Sequence, residues 1–244
     1  MEKVDYLNNL KKSFMLIKWY EWLMIAIMII VAGEQMIASF SDAGNSHNPT
    51  WLAVINFVSA ICGVICIFFT AKASISACIF GIINTVVYSI YLGYWQIYGT
   101  LCLEIFVYLP VSIWQWVVWA RKRDPVQNEL TIAKRLTYFQ LSAVGVVVMM
   151  LGIAYFCILD ELGGNVPLLD AFTVSLGIVA VILCMRRYRE QYILWLITDV
   201  IAVAMYIVMF DPVYLTKKTI YLIMAFVGLY NWYRLNRIRN TMNI

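Results

Sequence analysis

Residues 190–206, EQYILWLITDVIAVAMY, are apolar enough to cross a membrane as a helix, yet they carry Asp199 near their centre. A carboxylate at that depth costs roughly 2.5–3.5 kcal/mol to insert, so it rarely faces lipid. At 100° per residue, Trp195, Asp199 and Tyr206 lie within an arc of about 40° on one helix face. An acid flanked by two aromatic side chains suits a small, flat organic solute, particularly a cationic one. The stretch therefore predicts a solute site inside a membrane helix bundle.

The composition of the whole chain is that of a polytopic membrane protein. Its 244 residues are 63% hydrophobic and 13% charged, whereas soluble domains are about 45–50% apolar and about 25% charged. The predicted fold class is all-α, and the lipid bilayer is a predicted partner. The net charge of +4 does not indicate a nucleic-acid partner, because the positions of the basic residues matter more than their sum. Eight hydrophobic helices are predicted, at about 14–40, 51–71, 75–93, 98–120, 136–159, 168–186, 190–210 and 213–235.

The distribution of basic residues predicts the orientation of the chain. Most Lys and Arg residues lie at one face of the predicted bundle, and the opposite face has only Lys217 and Lys218. The positive-inside rule then puts both termini in the cytoplasm, provided that the first helix spans the membrane.

An internal repeat predicts how the helices are organised. Residues 55–119 and 169–235 share a three-helix layout, in which Gly63 matches Gly177, Asn84 matches Asp199, and Gln115-Trp116 matches Asn231-Trp232. The helix 136–159 would restore the orientation of the second unit, which gives two parallel repeats in a 3+1+3 plan with a substrate site between them. The predicted segments are an N-terminal segment with an extra helix (1–50), a first repeat (51–120), a basic loop with a linker helix (121–166), a second repeat (167–236) and a tail (237–244).

Polar side chains inside the predicted spans are the candidate substrate-binding residues. Besides Trp195, Asp199 and Tyr206, they are Asn84, Tyr88, Tyr91, Glu104, Tyr108, Gln115 and Asn231. The alternative is that they hydrogen-bond to one another and only hold the bundle together. Trp116, Trp232 and Pro110 are candidate gating residues, although interfacial belts also explain many Trp residues. Pro110 is the one proline inside a predicted span, where it should free the carbonyl of Phe106 and kink the helix.

Catalytic and metal-binding chemistry is disfavoured by what the sequence lacks. All six cysteines lie in apolar runs, and the single histidine, His47, lies in a polar loop. Asp199 and Glu104 could act as paired acids in an intramembrane enzyme, but no GxGD motif or Ser/His pair accompanies them. The motif GxxxxGK[ST] is also absent,. No cofactor, metal ligand or catalytic residue is predicted.

Four segments resemble the PnuC family of bacterial nicotinamide riboside transporters, over about residues 51–236. They are IFGIINTVVYSIY at 79–91, SIWQWVVW at 112–119, LLDAFTVSLGIVAVILCMRRYREQYILWLITDV at 168–200 and VGLYNWYR at 227–234. One departure is Phe80, where the family often has Trp. The extra helix before residue 51 lies outside the resemblance.

The resemblance implies uptake of nicotinamide riboside, a pyridinium cation on an uncharged ribose, by facilitated diffusion across the bacterial inner membrane. It also implies a homotrimer. In this interpretation the Trp195 indole takes the ring, Asp199 balances its charge, and Asn or Gln amides bind the carboxamide and ribose. The absence of an Arg/Lys cluster at mid-membrane argues against a phosphorylated nucleotide. Thiamine, another cationic heterocycle, and a proton-coupled mechanism remain alternatives.

Overall fold

The computed structural model describes residues 11, 14–15, 17–41, 49–94, 101, 103–122, 133–161, 167–209 and 212–241. Within them the chain forms eight α-helices and one π-helical turn, with no strand beyond an isolated bridge between Lys134 and Tyr188. The predicted all-α class is confirmed. The helices are α1 (Trp19–Ser41), α2 (Thr50–Ala71), α3 (Ala77–Tyr94), α4 (Leu109–Arg121), α5 (Tyr138–Glu161), α6 (Pro167–Met185), α7 (Gln191–Met209) and α8 (Pro212–Thr241).

Prolines set several of these helix starts. Pro49 immediately precedes α2 in an extended conformation, and α6 and α8 begin at Pro167 and Pro212. Proline suits a first helical position because its fixed φ matches the helix and its missing N–H would lack a partner there anyway.

The predicted helix 98–120 is interrupted before Pro110. Residues Glu104–Tyr108 form a π-helical turn, and the N–H of Leu109 donates to the carbonyl of Glu104. Proline cannot donate the next backbone bond, so the widened turn lies directly before it. Single π-helical turns of this kind are frequent at functional sites.

Several helices have the length and apolar surface that a membrane requires. By length and hydropathy, Trp19–Phe40, Thr50–Ala71, Ala77–Tyr94 and Tyr138–Ile158 can each cross a bilayer, and the shorter segments Ala171–Met185 and Gln191–Ala204 are also apolar. The helix α5 exposes large side chains over most of its length, among them Val146, Met150 and Ile153. An all-round apolar helix with so little protein around it is suited to lipid contact.

The packing of the helices has a reciprocal pattern. The helix α2 packs against α3 and α8, while α6 packs against α7 and α4. In the predicted repeats, the first helix of each unit therefore contacts the third helix of the other.

Two turns of the same construction follow α2 and α6. After α2, Ala73 has φ 58°, and after α6, Arg187 has φ 69°. The N–H of Ser74 donates to the carbonyl of Phe69 at 2.9 Å, and the N–H of Tyr188 donates to the carbonyl of Leu183 at 2.9 Å. A left-handed residue with this six-to-one bond is a Schellman cap, which here uses non-glycine residues.

A buried ion pair attaches α1 to the turn after α2. The Glu21 side chain is fully buried, and its carboxylate pairs with the ammonium of Lys72 and accepts the backbone N–H of Lys18. Burial lowers the pKa of the Lys72 ammonium, and the Glu21 carboxylate acts in the opposite direction. Apolar packing with α2 and α8 adds to the attachment through Ile25, Met28 and Ala32.

Candidate functional site

A cavity of about 370 Å³ lies among α2, α3, the π-helical turn, α4, α6, α7 and α8. Its volume falls within the roughly 300–1,000 Å³ typical of small-molecule sites. Seven of the ten predicted substrate-binding residues line it: Asn84, Tyr88, Glu104, Tyr108, Gln115, Trp195 and Asp199. The polar stripes of three separate predicted spans therefore converge on one space.

The aromatic and acidic pair predicted from residues 190–206 faces this cavity. Trp195 and Asp199 are one turn apart on α7, and both line the cavity wall. Asp199 lies at the middle of α7 and is 3% exposed, so its charge depends on protein partners,.

The π-helical turn contributes the second carboxylate. Glu104 and Tyr108, its first and last residues, both line the cavity. The widened turn thus presents an acid and a phenol to the same space from opposite ends of five residues.

Two lysines in the cavity wall are the main departure from the sequence-based picture. Lys217 and Lys218 lie in the second turn of α8, and both line the cavity. The Lys218 Nζ is 3.3 Å from Asp199 Oδ1 and 5.5 Å from the centroid of the Tyr221 ring. The Lys217 Nζ lies 5.7 Å from the Tyr88 ring and 5.8 Å from the Tyr221 ring. The expectation that no basic cluster reaches the middle of the bundle is therefore wrong.

The formal charges of the cavity wall balance. Glu104 and Asp199 supply two carboxylates, and Lys217 and Lys218 supply two ammonium groups. Asp199 and Lys218 attract one another across the 3.3 Å between Oδ1 and Nζ. A solute in this cavity meets both signs of charge at close range.

Glycines make room for tyrosines on both sides of the cavity. A Cβ added at Gly63 in α2 would lie 2.6 Å from the Tyr221 hydroxyl and 3.2 Å from Asn84 Oδ1. A Cβ added at Gly177 in α6 would lie 3.0 Å from the Tyr108 hydroxyl. Asn84 Oδ1 in turn accepts a hydrogen bond from the Ser59 hydroxyl at 3.0 Å.

The remaining predicted site residues lie elsewhere or outside the described part. Tyr91 stacks on Tyr88 with ring centroids 6.0 Å apart, and it is not among the residues that line the cavity. Asn231 donates to the carbonyl of Ala71 at 3.3 Å, away from the cavity wall. The backbone of Tyr206 belongs to α7, but its side chain lies outside the described residues.

Of the predicted gating residues, Trp232 has the most definite contact. Its indole N–H donates to the carbonyl of Thr70, near the end of α2, at 2.9 Å. A similar bond joins α4 to α6. The Trp119 indole N–H donates to the carbonyl of Cys184, near the end of α6, at 3.1 Å. These two bonds pair Trp119 with Trp232, whereas the repeat predicted from the sequence matches Trp116 with Trp232. Pro110 is exposed and lies outside the cavity wall.

The two left-handed turns give a second way to align the two predicted repeats. Thr70 and Cys184 are each three residues before the left-handed residue of their turn. Counted from the same turns, Asp199 corresponds to Thr85, the neighbour of the predicted Asn84. Both Asn84 and Thr85 line the cavity.

Sequence reasoning missed other cavity residues as well, notably Tyr221 and the thiols Cys66, Cys78 and Cys184. Tyr221 follows Lys217 at helical i,i+4 spacing, which could have placed the two on one face. The described residues contain no group of three or more His, Cys, Asp or Glu side chains that could hold a metal ion.

Comparison with known proteins gives one consistent result. The family model described as "Nicotinamide mononucleotide transporter" matches residues 53–234. The chain is 31% identical over 199 residues to the nicotinamide riboside transporter PnuC of Neisseria mucosa, which covers 77% of this chain and 74% of that protein. It is 29% identical to the nicotinamide riboside transporter PnuC of Haemophilus influenzae, covering 78% of this chain and 83% of the relative.

A solved structure agrees with these relatives. The crystal structure of the vitamin B3 transporter PnuC superposes with a TM-score of 0.70 at 25% identity, covering 91% of this chain and 93% of that one. The chain therefore belongs to the nicotinamide mononucleotide transporter family, that of the PnuC proteins, and it is a multi-pass membrane transporter and not an enzyme.

Proposed function

We propose that this chain carries nicotinamide riboside into the cell, and that it binds the riboside in the 370 Å³ cavity. The observation that carries the proposal is the pairing of Trp195 and Asp199 on one face of α7 in the cavity wall. An indole face attracts a pyridinium ring by a cation–π contact worth about 2 kcal/mol when desolvated. The carboxylate one turn away balances the charge of the ring, and Asn84 and Gln115 offer amides to the carboxamide and ribose.

Uptake into liposomes tests this proposal. Purified protein in liposomes should take up labelled nicotinamide riboside, and excess unlabelled riboside should block the uptake. Thiamine is the matched competitor, because it is also a cationic heterocycle of similar size. If thiamine competes better than unlabelled riboside, thiamine is the substrate. If neither compound is taken up, the proposal is wrong.

The side chain of Trp195 provides a direct test of the stacking role. Trp195→Ala should weaken riboside binding at least about tenfold, since a contact of about 2 kcal/mol is lost. Trp114→Ala is the matched control, because Trp114 is 58% exposed on the outer surface of α4. Equal effects of the two substitutions on the Kd would contradict the stacking assignment.

The charge balance of the cavity favours the riboside over its phosphate ester. Recognition of a phosphate usually relies on Arg or Lys in excess over acids. Here the two lysines share the cavity wall with two carboxylates, so a phosphate would meet Glu104 and Asp199 as well as the lysines. Nicotinamide mononucleotide should therefore compete at least about tenfold less well than the riboside in the same uptake assay.

We also propose that residues 51–120 and 167–236 act as two parallel repeats that alternate access to the cavity. The reciprocal packing of α2 with α8 and of α6 with α4 supports this plan. So do the paired turns at Ala73 and Arg187 and the crossed indole bonds of Trp119 and Trp232. Cross-linking α2 to α8 through introduced cysteines should stop uptake without preventing binding.

Facilitated diffusion is the proposed mode of transport, with a proton-coupled carrier as the second candidate. In liposomes without a membrane potential, the riboside should equilibrate and not concentrate. A pH gradient that drives accumulation, and a protonophore that abolishes it, would favour proton coupling through Asp199 or Glu104.

The proposed setting is the bacterial inner membrane, with both termini in the cytoplasm and three copies of the chain together. The basic residues at one face of the bundle support the orientation,. The trimer rests on the family resemblance alone. Labelling of terminal cysteines from either side tests the orientation, and native mass measurement in detergent tests the trimer.

A further inference from the structure

The cavity holds a cation of its own beside Asp199. The ammonium of Lys218 is 3.3 Å from Asp199 Oδ1, with the Lys218 side chain 24% exposed and the Asp199 side chain 4% exposed. If the substrate is the cationic riboside proposed above, it meets a carboxylate that is already paired. The charge that would attract the substrate is neutralised until that pair opens.

The Asp199–Lys218 pair would stabilise a carrier that has to change conformation without bound substrate. An unpaired carboxylate in the middle of a bundle is strongly disfavoured, because neither water nor lipid compensates its charge. Lys218 supplies that compensation in the absence of solute. Glu104 and Lys217 also line the cavity, so the formal charges of the four side chains balance.

The Lys218 ammonium also has a second possible partner, the Tyr221 ring. The face of the Tyr221 ring lies 5.5 Å from its Nζ, within the range of a cation–π contact,. The Lys218 side chain is long and flexible, so its ammonium can leave Asp199 without any movement of α8. Tyr221 itself lines the cavity, on the same helix one turn from Lys217.

We propose that Lys218 is a tethered counter-ion that competes with cationic substrates for Asp199. Without substrate, the Lys218 ammonium pairs with the Asp199 carboxylate. When a pyridinium ring binds, the ammonium leaves the carboxylate and makes a cation–π contact with the Tyr221 ring. Lys218 then sets selectivity between charged and uncharged solutes, because only a cation has to displace it. This inference rests on the proposed function and specifies how that site handles charge.

Two ligands that differ only in charge test the proposal. Nicotinamide riboside carries a pyridinium cation, while its reduced 1,4-dihydropyridine form has the same ribose and carboxamide and no charge. The Kd of each is measured on the purified full chain, and the ratio of the two is compared among variants. Lys218→Gln should improve binding of the cation relative to the neutral form by at least about tenfold, since it leaves Asp199 free.

Matched variants separate the pair from general electrostatics. Lys218→Arg keeps the charge, and the ratio should stay within about threefold of wild type. In the Asp199→Asn background, Lys218→Gln should change the ratio by less than about threefold, because the carboxylate for which the lysine competes is gone. Should Lys218→Gln not fold, Lys218→Met removes the same charge and faces the same criteria.

Different failures have different meanings. Equal changes for both ligands on Lys218→Gln, or weaker binding of the cation alone, would overturn the inference and leave the proposed function standing. An undiminished effect of Lys218→Gln in the Asp199→Asn background would do the same. If wild-type protein binds neither ligand, the proposed function and the inference fall together.

Discussion

At the scale of single residues, the site depends on a missing side chain. Gly63 leaves space that the Tyr221 hydroxyl and Asn84 occupy, and a Cβ there would lie 2.6 Å from that hydroxyl. Because Tyr221 lines the cavity and has the Lys217 and Lys218 ammonium groups 5.8 and 5.5 Å from its ring, Gly63→Ala should displace it into the cavity. We expect Gly63→Ala to reduce uptake of nicotinamide riboside at least about tenfold, measured as initial rate in liposomes.

Gly145→Ala is the matched control for that substitution. Gly145 lies in α5, and an added Cβ there meets nothing within 4 Å. Uptake by Gly145→Ala should equal that of wild type, and the helix should gain slightly in stability because alanine is the better helix former. Equal losses for the two variants would show that the helices, and not the cavity, are sensitive to added volume.

At the scale of elements, α1 is attached by one buried ion pair and an apolar face. Removal of one partner leaves the other charge buried, which costs about 3–5 kcal/mol where burial is complete. Lys72→Met should therefore lower the free energy of unfolding by about 3–5 kcal/mol, since it leaves the buried Glu21 carboxylate without its partner,. The midpoint of thermal unfolding in detergent measures the loss.

Two further variants decide whether the Glu21–Lys72 pair is responsible. Lys11→Met removes an exposed lysine that precedes α1 and should leave the midpoint unchanged,. The double variant Glu21→Gln/Lys72→Met should recover part of the loss, because no uncompensated charge remains. A double variant that is as unstable as the sum of both single variants would argue against coupling between the two side chains.

At the scale of the whole molecule, two similar indole hydrogen bonds connect α4 with α6 and α8 with α2. The indoles of Trp119 and Trp232 each donate to the carbonyl near the end of the opposite first helix, at 3.1 Å and 2.9 Å. Trp119→Phe and Trp232→Phe should each lower the free energy of unfolding by about 1 kcal/mol, the contribution of one hydrogen bond. The two losses should agree within about 0.5 kcal/mol, and denaturation in detergent compares them.

Trp114→Phe is the control for both indole substitutions, because Trp114 is exposed and should tolerate the change. A large loss for Trp119→Phe with none for Trp232→Phe would contradict the equivalence of the halves. It would indicate that only one of the two contacts stabilises the protein.

Much of this architecture could be predicted from the order of residues. Hydropathy and proline positions gave the helices and most of their starts, since lipid leaves a spanning backbone few alternatives to the helix. The spacing of Trp195 and Asp199 gave one face of the cavity, because helical periodicity fixes which residues share a face. Pro110 indicated an irregular segment, although not that a π-helical turn would precede it.

The features that escaped prediction depend on neighbouring helices. Trp116 and Trp119 are three residues apart and lie on nearby faces of α4, so periodicity alone could not choose the one that reaches α6. Lys217 and Lys218 were counted as basic residues of the outer face, where the positive-inside rule places few charges. Long lysine side chains can extend along a helix toward other polar groups. The carboxylates that attract these lysines lie on other helices, so the local sequence does not reveal them.

The crossed indole bonds have a consequence for the speed of transport. The Trp119 and Trp232 rings also contact each other, with centroids 5.8 Å apart, so movement of one disturbs the other. If the proposed repeats separate at this end, both indole bonds have to break. A turnover rate limited by that event should rise steeply on warming, and it should lose much of its temperature dependence when either indole becomes phenylalanine.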